Sequence, residues 1–469
     1  MALGVLAIAA CVGDEPVSPG PGSGAPQVDG GGPGADGDGA GPDGDGGACA
    51  AICADPSTLK SCDGTTETCK FACVSEGTAR CAIVHPSGDA LTAADLTTPG
   101  ALDVTLASTA FVTDTGAIEG LRAPNADPLK MEVKDGIGFR LGAIDPTRKI
   151  AIWTFKSLTV PVGATVRFSS TNAAALVATT TIEIAGVVDA RGYATTGELC
   201  GRSPASVPGA PGPGGGAGGT SAAPASGPGA GLPANPSAAL SGGPSGAGHA
   251  GRGGQGGPGN NASAQRGGDA GAPYGVATLI PLLGGSGGGG NGHSGGGGGG
   301  ALHVVAGDRV IVGGGGAPGG INAGGCGGLS GSMGGAGGGG GSGGAILIET
   351  PTLEMRANGV LAVNGGAGGG AASAGDGQPG QLSDALATPG TTTGYGFSGS
   401  GAARATALGG GGGTAPSTTT SGGAGGGAAG RIRINNRSGS YTVPSGAKIS
   451  PELTIVNDPP STIGTLDVR

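Results

Sequence analysis

The residues whose types and spacing say most about chemistry are the nine cysteines. Six of them, Cys49, Cys53, Cys62, Cys69, Cys73 and Cys81, crowd into one short stretch. Their intervals lack the CxxC pairs of a zinc site, and the nearest histidine is His85. So dense a cluster is expected to form three disulfides, stapling a module too small to hold itself together by burial. Connectivity stays open at this level. Cys200 and Cys326 flank the glycine-rich part of the chain and form a candidate fourth pair, provided the fold brings their Cα atoms within about 7 Å.

Catalytic patterns are weaker. Gly284-Gly285-Ser286-Gly287-Gly288 and Gly340-Gly341-Ser342-Gly343-Gly344 satisfy GxSxG, yet with 115 glycines such matches arise by chance. Neither sits between a strand and a helix, the context a nucleophile elbow requires. Of the four histidines, His249 and His293 lie in glycine tracts, and His303 lies mid-strand, where a solvent-facing or hydrogen-bonded ring is expected rather than a catalyst. No Lys occurs between Ser157 and Ala447, so no phosphate-binding GxxxxGK[ST] exists there. The best enzymatic constellation is similar to that of parallel β-helix polysaccharide lyases, with Asp189 and Arg191 after one strand and Glu183 and Glu354 on stacked coils. The second repeat breaks it, because Ala362 and Asn364 stand where Asp189 and Arg191 stood. Catalytic residues, metal sites and cofactors are therefore not expected.

The elements that must carry these residues have an unusual composition. Gly and Pro supply 115 and 34 of 469 residues, only 12% are charged and 2% are aromatic. That departs from the composition of ordinary enzymes, and the absence of a G-X-Y period excludes collagen. With 23 Lys and Arg against 32 Asp and Glu, the net charge of −9 argues against nucleic acid.

Residues 1–10, MALGVLAIAA, are apolar and too short to span a membrane, as in a secretory leader. Ile8-Ala9-Ala10-Cys11 resembles a bacterial lipobox, which implies cleavage before Cys11 and acylation of that cysteine. Val12 after the cysteine implies, by the same resemblance, the outer membrane. Residues 11–48 read as an acidic, disordered Gly/Pro-rich tether, with seven carboxylates and no basic side chain. The disulfide-rich module follows at 49–84.

Residues 85–200 form a β-rich domain of short alternating runs, including Ile137–Leu141, Ile150–Phe155, Leu158–Val160 and Thr181–Ile184, separated by turn residues. Trp153, the single Trp, is expected in the core. A repeat then emerges. Thr181-Ile182-Glu183-Ile184 and Gly186-Val187-Val188-Asp189 match Thr352-Leu353-Glu354-Met355 and Gly359-Val360-Leu361-Ala362. Ala301–Val305 with Val310–Gly313 is a third copy, and Arg431–Asn435 begins a degenerate fourth.

Strand, turn, strand and glycine together suggest an all-β chain built as a β-solenoid of the parallel β-helix type, with stacked coils burying a narrow aliphatic core. Its long glycine-rich insertions are expected to pack as polyglycine-II helices where the tracts are pure, and to be disordered over 201–281, where Pro, Ser and Ala interrupt them. Residues 201–300 form the glycine-rich low-complexity region, and 301–469 combine strand repeats with tracts. The alternative is a β-sandwich with disordered glycine loops, in which Asn358-Gly359 makes a hairpin.

The lipobox-like start, acidic tether, cysteine cluster and recurrent Gly-Gly-Ala-Ile-Leu-Ile and Gly-Arg-Ile-Arg-Ile strands together resemble uncharacterised glycine-rich secreted surface lipoproteins of myxobacterium-like Gram-negative bacteria. The tracts are also similar to glycine-rich insertions of some receptor ectodomains and phage adhesins. The resemblance implies an extracytoplasmic protein at the outer membrane or cell surface, held by a lipid on Cys11. A structural or adhesive role is expected, with glycans, matrix or other cells as ligands. The competing expectation is a secreted carbohydrate-active lyase or hydrolase on a β-helix.

Overall fold

The computed structural model describes residues 49–469 apart from 98–99, 101, 194–197, 201–206, 235–241, 260–264, 333–334, 372–374, 392–397, 403–407, 415–420 and 454–458. Cys11, the leader and the tether lie outside the described residues. What is described is almost entirely β, with one short helix.

The cysteine-rich segment forms β1 (Ile52–Asp55), β2 (Thr58–Lys60) and β3 (Thr66–Thr68) in one small antiparallel sheet, and β4 (Cys73–Val74) with β5 (Arg80–Cys81) in another. Disulfides join Cys53 to Cys73 and Cys69 to Cys81, with Cα–Cα distances of 5.6 and 5.1 Å, and Cys49 and Cys62 are also disulfide-bonded. This segment buries only one of its cysteine side chains fully, Cys69. The cross-links supply what its small apolar core cannot.

After the helix α1 (Ala94–Thr97) come β6 (Asp103–Thr105), β7 (Thr109–Val112), β8 (Glu132–Lys134) and β9 (Ile137–Ala143). Strand triplets then succeed one another: β10 (Lys149–Phe155), β11 (Ser157–Val160), β12 (Thr165–Ser169); β13 (Ala173–Ala178), β14 (Thr181–Ile184), β15 (Val187–Asp189); β16 (Ala301–Ala306), β17 (Arg309–Val312), β18 (Gly319–Asn322); β19 (Ala345–Glu349), β20 (Thr352–Met355), β21 (Gly359–Ala362). The chain ends with β22 (Arg431–Asn436), β23 (Lys448–Ser450) and β24 (Ser461–Thr465). Each triplet adds one strand to each of three sheets, and neighbouring triplets pair in parallel. The sheet orders are β24-β22-β19-β16-β13-β10-β9-β8, β20-β17-β14-β11-β6 and β23-β21-β18-β15-β12-β7. The repeat seen in the sequence is therefore the rung-to-rung register: Glu183 faces Ile311, which faces Glu354. Asn358-Gly359 makes no hairpin. Asn358, at φ 62°, turns the chain from β20 in one sheet to β21 in another, a left-handed conformation that asparagine tolerates.

Period-two alternation decides which side chains go where. Leu176, Val304, Ile346 and Ile432 of the long sheet meet Leu158, Ile182 and Val310 of the second and Val166, Val188 and Ile321 of the third in one buried cluster. The alternate residues of the long sheet, such as Ile152, Val177, Val305 and Leu347, join a second cluster on the outer face beneath Val84, Leu91, Leu96, Leu279 and Leu282. That explains why β13, AAALVA, is buried at every position whereas β14, TIEI, alternates. Aromatics gather at the start of the stack: Trp153 packs 5.0 Å from Phe111 and 5.1 Å from Phe139, and its indole N–H donates to the Gly116 carbonyl.

The glycine tracts leave the sheets after β15, β18 and β21 and return before β16, β19 and β22. They pack together with a three-residue rhythm. The N–H groups of Gly339, Gly340 and Gly341 donate to Gly289, Gly425 and Cys326, three different segments, and Ser342, Gly343 and Gly344 repeat the order onto Ser286, Ala428 and Ala323. The carbonyls of Gly339, Gly340 and Gly341 accept from Gly296, Ala247 and Gly366, so Gly339–Gly341 touches six neighbouring segments. A Cβ on Gly343 would overlap the Val363 carbonyl oxygen, and one on Gly341 that of Gly297. Closeness of this kind is open only to glycine.

The described residues between 207 and 281 join the same array, against the expectation of disorder. Gly218 donates to Gly209, Gly212 to Gly298 and Gly254 to Gly426. The interruptions are tolerated because glycine stands where the neighbouring backbone comes closest, as at Gly209, Gly212, Gly216 and Gly218, and Pro211, Pro213 and Ala217 stand between them. Cys200 and Cys326, with Cα atoms 5.3 Å apart, are disulfide-bonded and tie the start of this region to the tract after β18.

Candidate functional site

The residues singled out for lyase chemistry are occupied by their own neighbours. Asp189 is buried and holds Arg191 through both carboxylate oxygens, at 2.9 and 2.8 Å. Arg191 also donates to the Gly380 carbonyl. Glu183 and Glu354 do stack two rungs apart as the repeat implied, and Arg356 bridges them, at 3.1 Å to Glu183 and 2.7 Å to Glu354. Arg356 itself carried no sequence signal, since its role depends on the rung spacing.

The two GxSxG serines meet inside the glycine array, both fully buried. The Ser286 N–H donates to Ser342 Oγ at 2.8 Å, and the Ser286 hydroxyl donates to Tyr274 Oη at 3.0 Å. Tyr274 stacks on His249 with ring centroids 4.5 Å apart. His249 Nδ1 must carry the proton, because its partner at 2.7 Å is the Gly343 carbonyl. Nε2 of His249 is buried without a hydrogen-bond partner. Burial pulls this histidine down to about 4, and nearby Arg431 pushes the same way. Burial likewise raises the Tyr274 phenol. The cluster is closed to solvent, and its hydrogen bonds tie the tract at Gly284–Ser286 to that at Ser342–Gly343. His293 lies at the array's edge, where its Nε2 accepts from the Ser332 N–H, and His85 lies 3.7 Å from Asp467.

One cleft combines space with an unclaimed polar atom. It measures about 300 Å³ and lies on the outer face of the long sheet, among Leu91, Ile144, Leu279, Leu282, Leu347 and His303. The floor comes from β10, β16 and β19, and the cover from segments 87–91 and 279–282. Between β10 and β16 runs β13, which turns Ala173, Ala175 and Val177 outward, and at the two alanines little side-chain volume covers the sheet.

His303 is 98% buried, and its Nε2–H donates to Glu349 Oε2 at 2.8 Å. Glu349 accepts three further bonds: from the Ser87 N–H, the Ser87 hydroxyl and the Asn435 side-chain amide. Burial alone would raise the Glu349 carboxyl, but the His303 hydrogen bond and charge, aided by Ser87 and Asn435, outweigh it and hold the group at about 2. Four donors saturate the carboxylate and fix the imidazole with Nε2 engaged. No hydrogen-bond partner for Nδ1 is found among the described residues. Sequence reasoning placed His303 mid-strand with a ring either solvent-facing or hydrogen-bonded; the ring is buried and hydrogen-bonded. That reasoning missed Glu349 and Ser87, which lie far from His303 in the chain and reach it only through rung stacking and the return of segment 87–91.

No protein-family model matches the chain, and neither a curated protein nor a solved structure matches it.

Proposed function

We propose that this chain is an extracytoplasmic surface lipoprotein, anchored through Cys11, whose body is a β-solenoid carrying a polyglycine-II lattice and whose role is structural or adhesive. The strand triplets, each giving one strand to each of three parallel sheets, support the solenoid reading. The three-residue hydrogen-bonding rhythm supports the lattice reading. Disulfide-bonded cysteines in both the small module and the lattice fit an oxidising compartment.

The observation that carries the adhesive reading is the way the lattice holds its turns side by side. His293 lies against Ser332, and the Ser330 N–H donates to Asp376 at 2.8 Å, so turns from three separate excursions share one end of the array. Fixed spacing between several small loops is what a multivalent contact with glycan, matrix or another cell needs. The carbohydrate-active alternative has less support, because Asp189, Glu183 and Glu354 are already bound by Arg191 and Arg356.

Two measurements test the proposal. Radiolabelled palmitate should enter the wild-type chain in a Gram-negative host and be absent from Cys11→Ala; equal labelling refutes the anchor. The oxidised chain should be retained on a glycan array or on cells, and Asp376→Lys should weaken retention at least fivefold without moving the melting temperature. Retention no better than that of the reduced, denatured chain refutes the adhesive role.

A further inference from the structure

We infer that the cleft over β10, β16 and β19 is a binding site for a small apolar alcohol or phenol, with its hydroxyl on His303 Nδ1. Volume sets the size. A cavity of about 150 Å³ lined by aliphatic side chains accommodates benzene, so about 300 Å³ suits a molecule of roughly a dozen non-hydrogen atoms. The lining sets the chemistry. Leu91, Ile144, Leu279, Leu282 and Leu347 present an apolar wall, and burying a fused ring there contributes in proportion to the area removed from water.

His303 sets the specificity. Its Nε2 is committed to Glu349, and Glu349 is committed to four donors, so Nδ1 is the polar atom the pair leaves over. A purely apolar guest would cover it without a partner, which carries a desolvation cost. A hydroxyl satisfies it in either protonation state, donating to a neutral ring and accepting from a charged one. A carboxylate guest fits less well, because the ionised Glu349 lies on the other side of the same ring and Asp89 and Asp145 also line the cleft. The mouth is open enough for exchange, since Ile280 on the lining is 41% exposed. The site is independent of the surface role proposed above.

The probes are 2-naphthol and naphthalene, titrated calorimetrically into the full oxidised chain. The expected result is saturable binding of both, with 2-naphthol about tenfold tighter. In His303→Gln the naphthalene affinity should persist while the preference for 2-naphthol falls to about twofold. In Ile280→Arg, at the exposed rim, both affinities should drop at least tenfold with an unchanged near-ultraviolet dichroism spectrum. Equal wild-type affinities, or no saturable binding of 2-naphthol up to about 0.2 mM, overturn the inference. So does an Ile280→Arg chain that binds like wild type. If His303→Gln loses both ligands, Ile280→Arg decides the location of the site.

Discussion

The stacked sheets and the glycine array solve the same problem with opposite means. In the sheets, side chains do the holding: Leu176, Val304 and Ile346 fill the space between three layers, and the backbone bonds run only between adjacent rungs. In the array there are almost no side chains to bury, and successive residues such as Gly339, Gly340 and Gly341 send their N–H groups to different neighbouring segments. The sheets tolerate any apolar residue of about the right volume. The array tolerates no Cβ at its contact positions, and so has traded burial for backbone closeness. Order in the first is set by volume and in the second by the absence of volume.

That contrast can be broken most severely at the array's centre. Gly343→Val places a branched side chain against Val363 and beneath Ala428, and a loss of about 4 kcal/mol or more in chemical denaturation is expected. An unchanged midpoint would mean that the tracts are not packed as described. Removing the link between the array's segments comes next. Cys200→Ser with Cys326→Ser frees a 126-residue separation, for which chain entropy sets a ceiling of about 5 kcal/mol and a loss of about 3 kcal/mol is expected. Protection of the tract amides from hydrogen exchange should fall with it, while that of β13 and β16 stays.

In the sheets, Leu176→Ala should cost about 3 kcal/mol through a cavity in the aliphatic core. Gly343→Val in the array is thus expected to rival Leu176→Ala in the sheets.

The smallest effect is acid sensitivity confined to the array. His249 is held at about 4 when folded against about 6.5 when unfolded, so below pH 6.5 the unfolded chain takes up a proton that the native chain refuses. Its contribution is complete above pH 6.5 and lost as pH falls toward 4. From pH 7 to pH 5 the loss should be about 2 kcal/mol. His249→Gln should flatten this part of the stability profile, and a profile with the same slope in the variant would assign the effect elsewhere.

Much of the sheet structure was legible in the sequence. Ile150–Phe155, Leu158–Val160 and Thr181–Ile184 coincide with β10, β11 and β14 to within a residue, because alternation of apolar with polar side chains is a local property. Asn358-Gly359 left the sandwich alternative open, because the same turn chemistry serves a hairpin and a corner between sheets; the structure makes it a corner. The order of the described residues between 207 and 281 was missed for a related reason: composition registered the interruptions, and the placement of Gly209, Gly212 and Gly218 matters only once there is a neighbouring backbone to approach. The His303 cleft was the least legible, since its carboxylate, its hydroxyl and its cover come from distant parts of the chain.

The sequence by itself determined where side chains were available to bury and where they were missing, and with that the division between aliphatic strands and bare backbone. Tertiary structure alone decided which tract lies against which, that Cys200 meets Cys326, and that Glu349 takes one nitrogen of His303 and leaves the other. The physical reason is that glycine carries no address. Every tract offers the same donors and acceptors, so partners are assigned by the rung from which each tract departs and to which it returns.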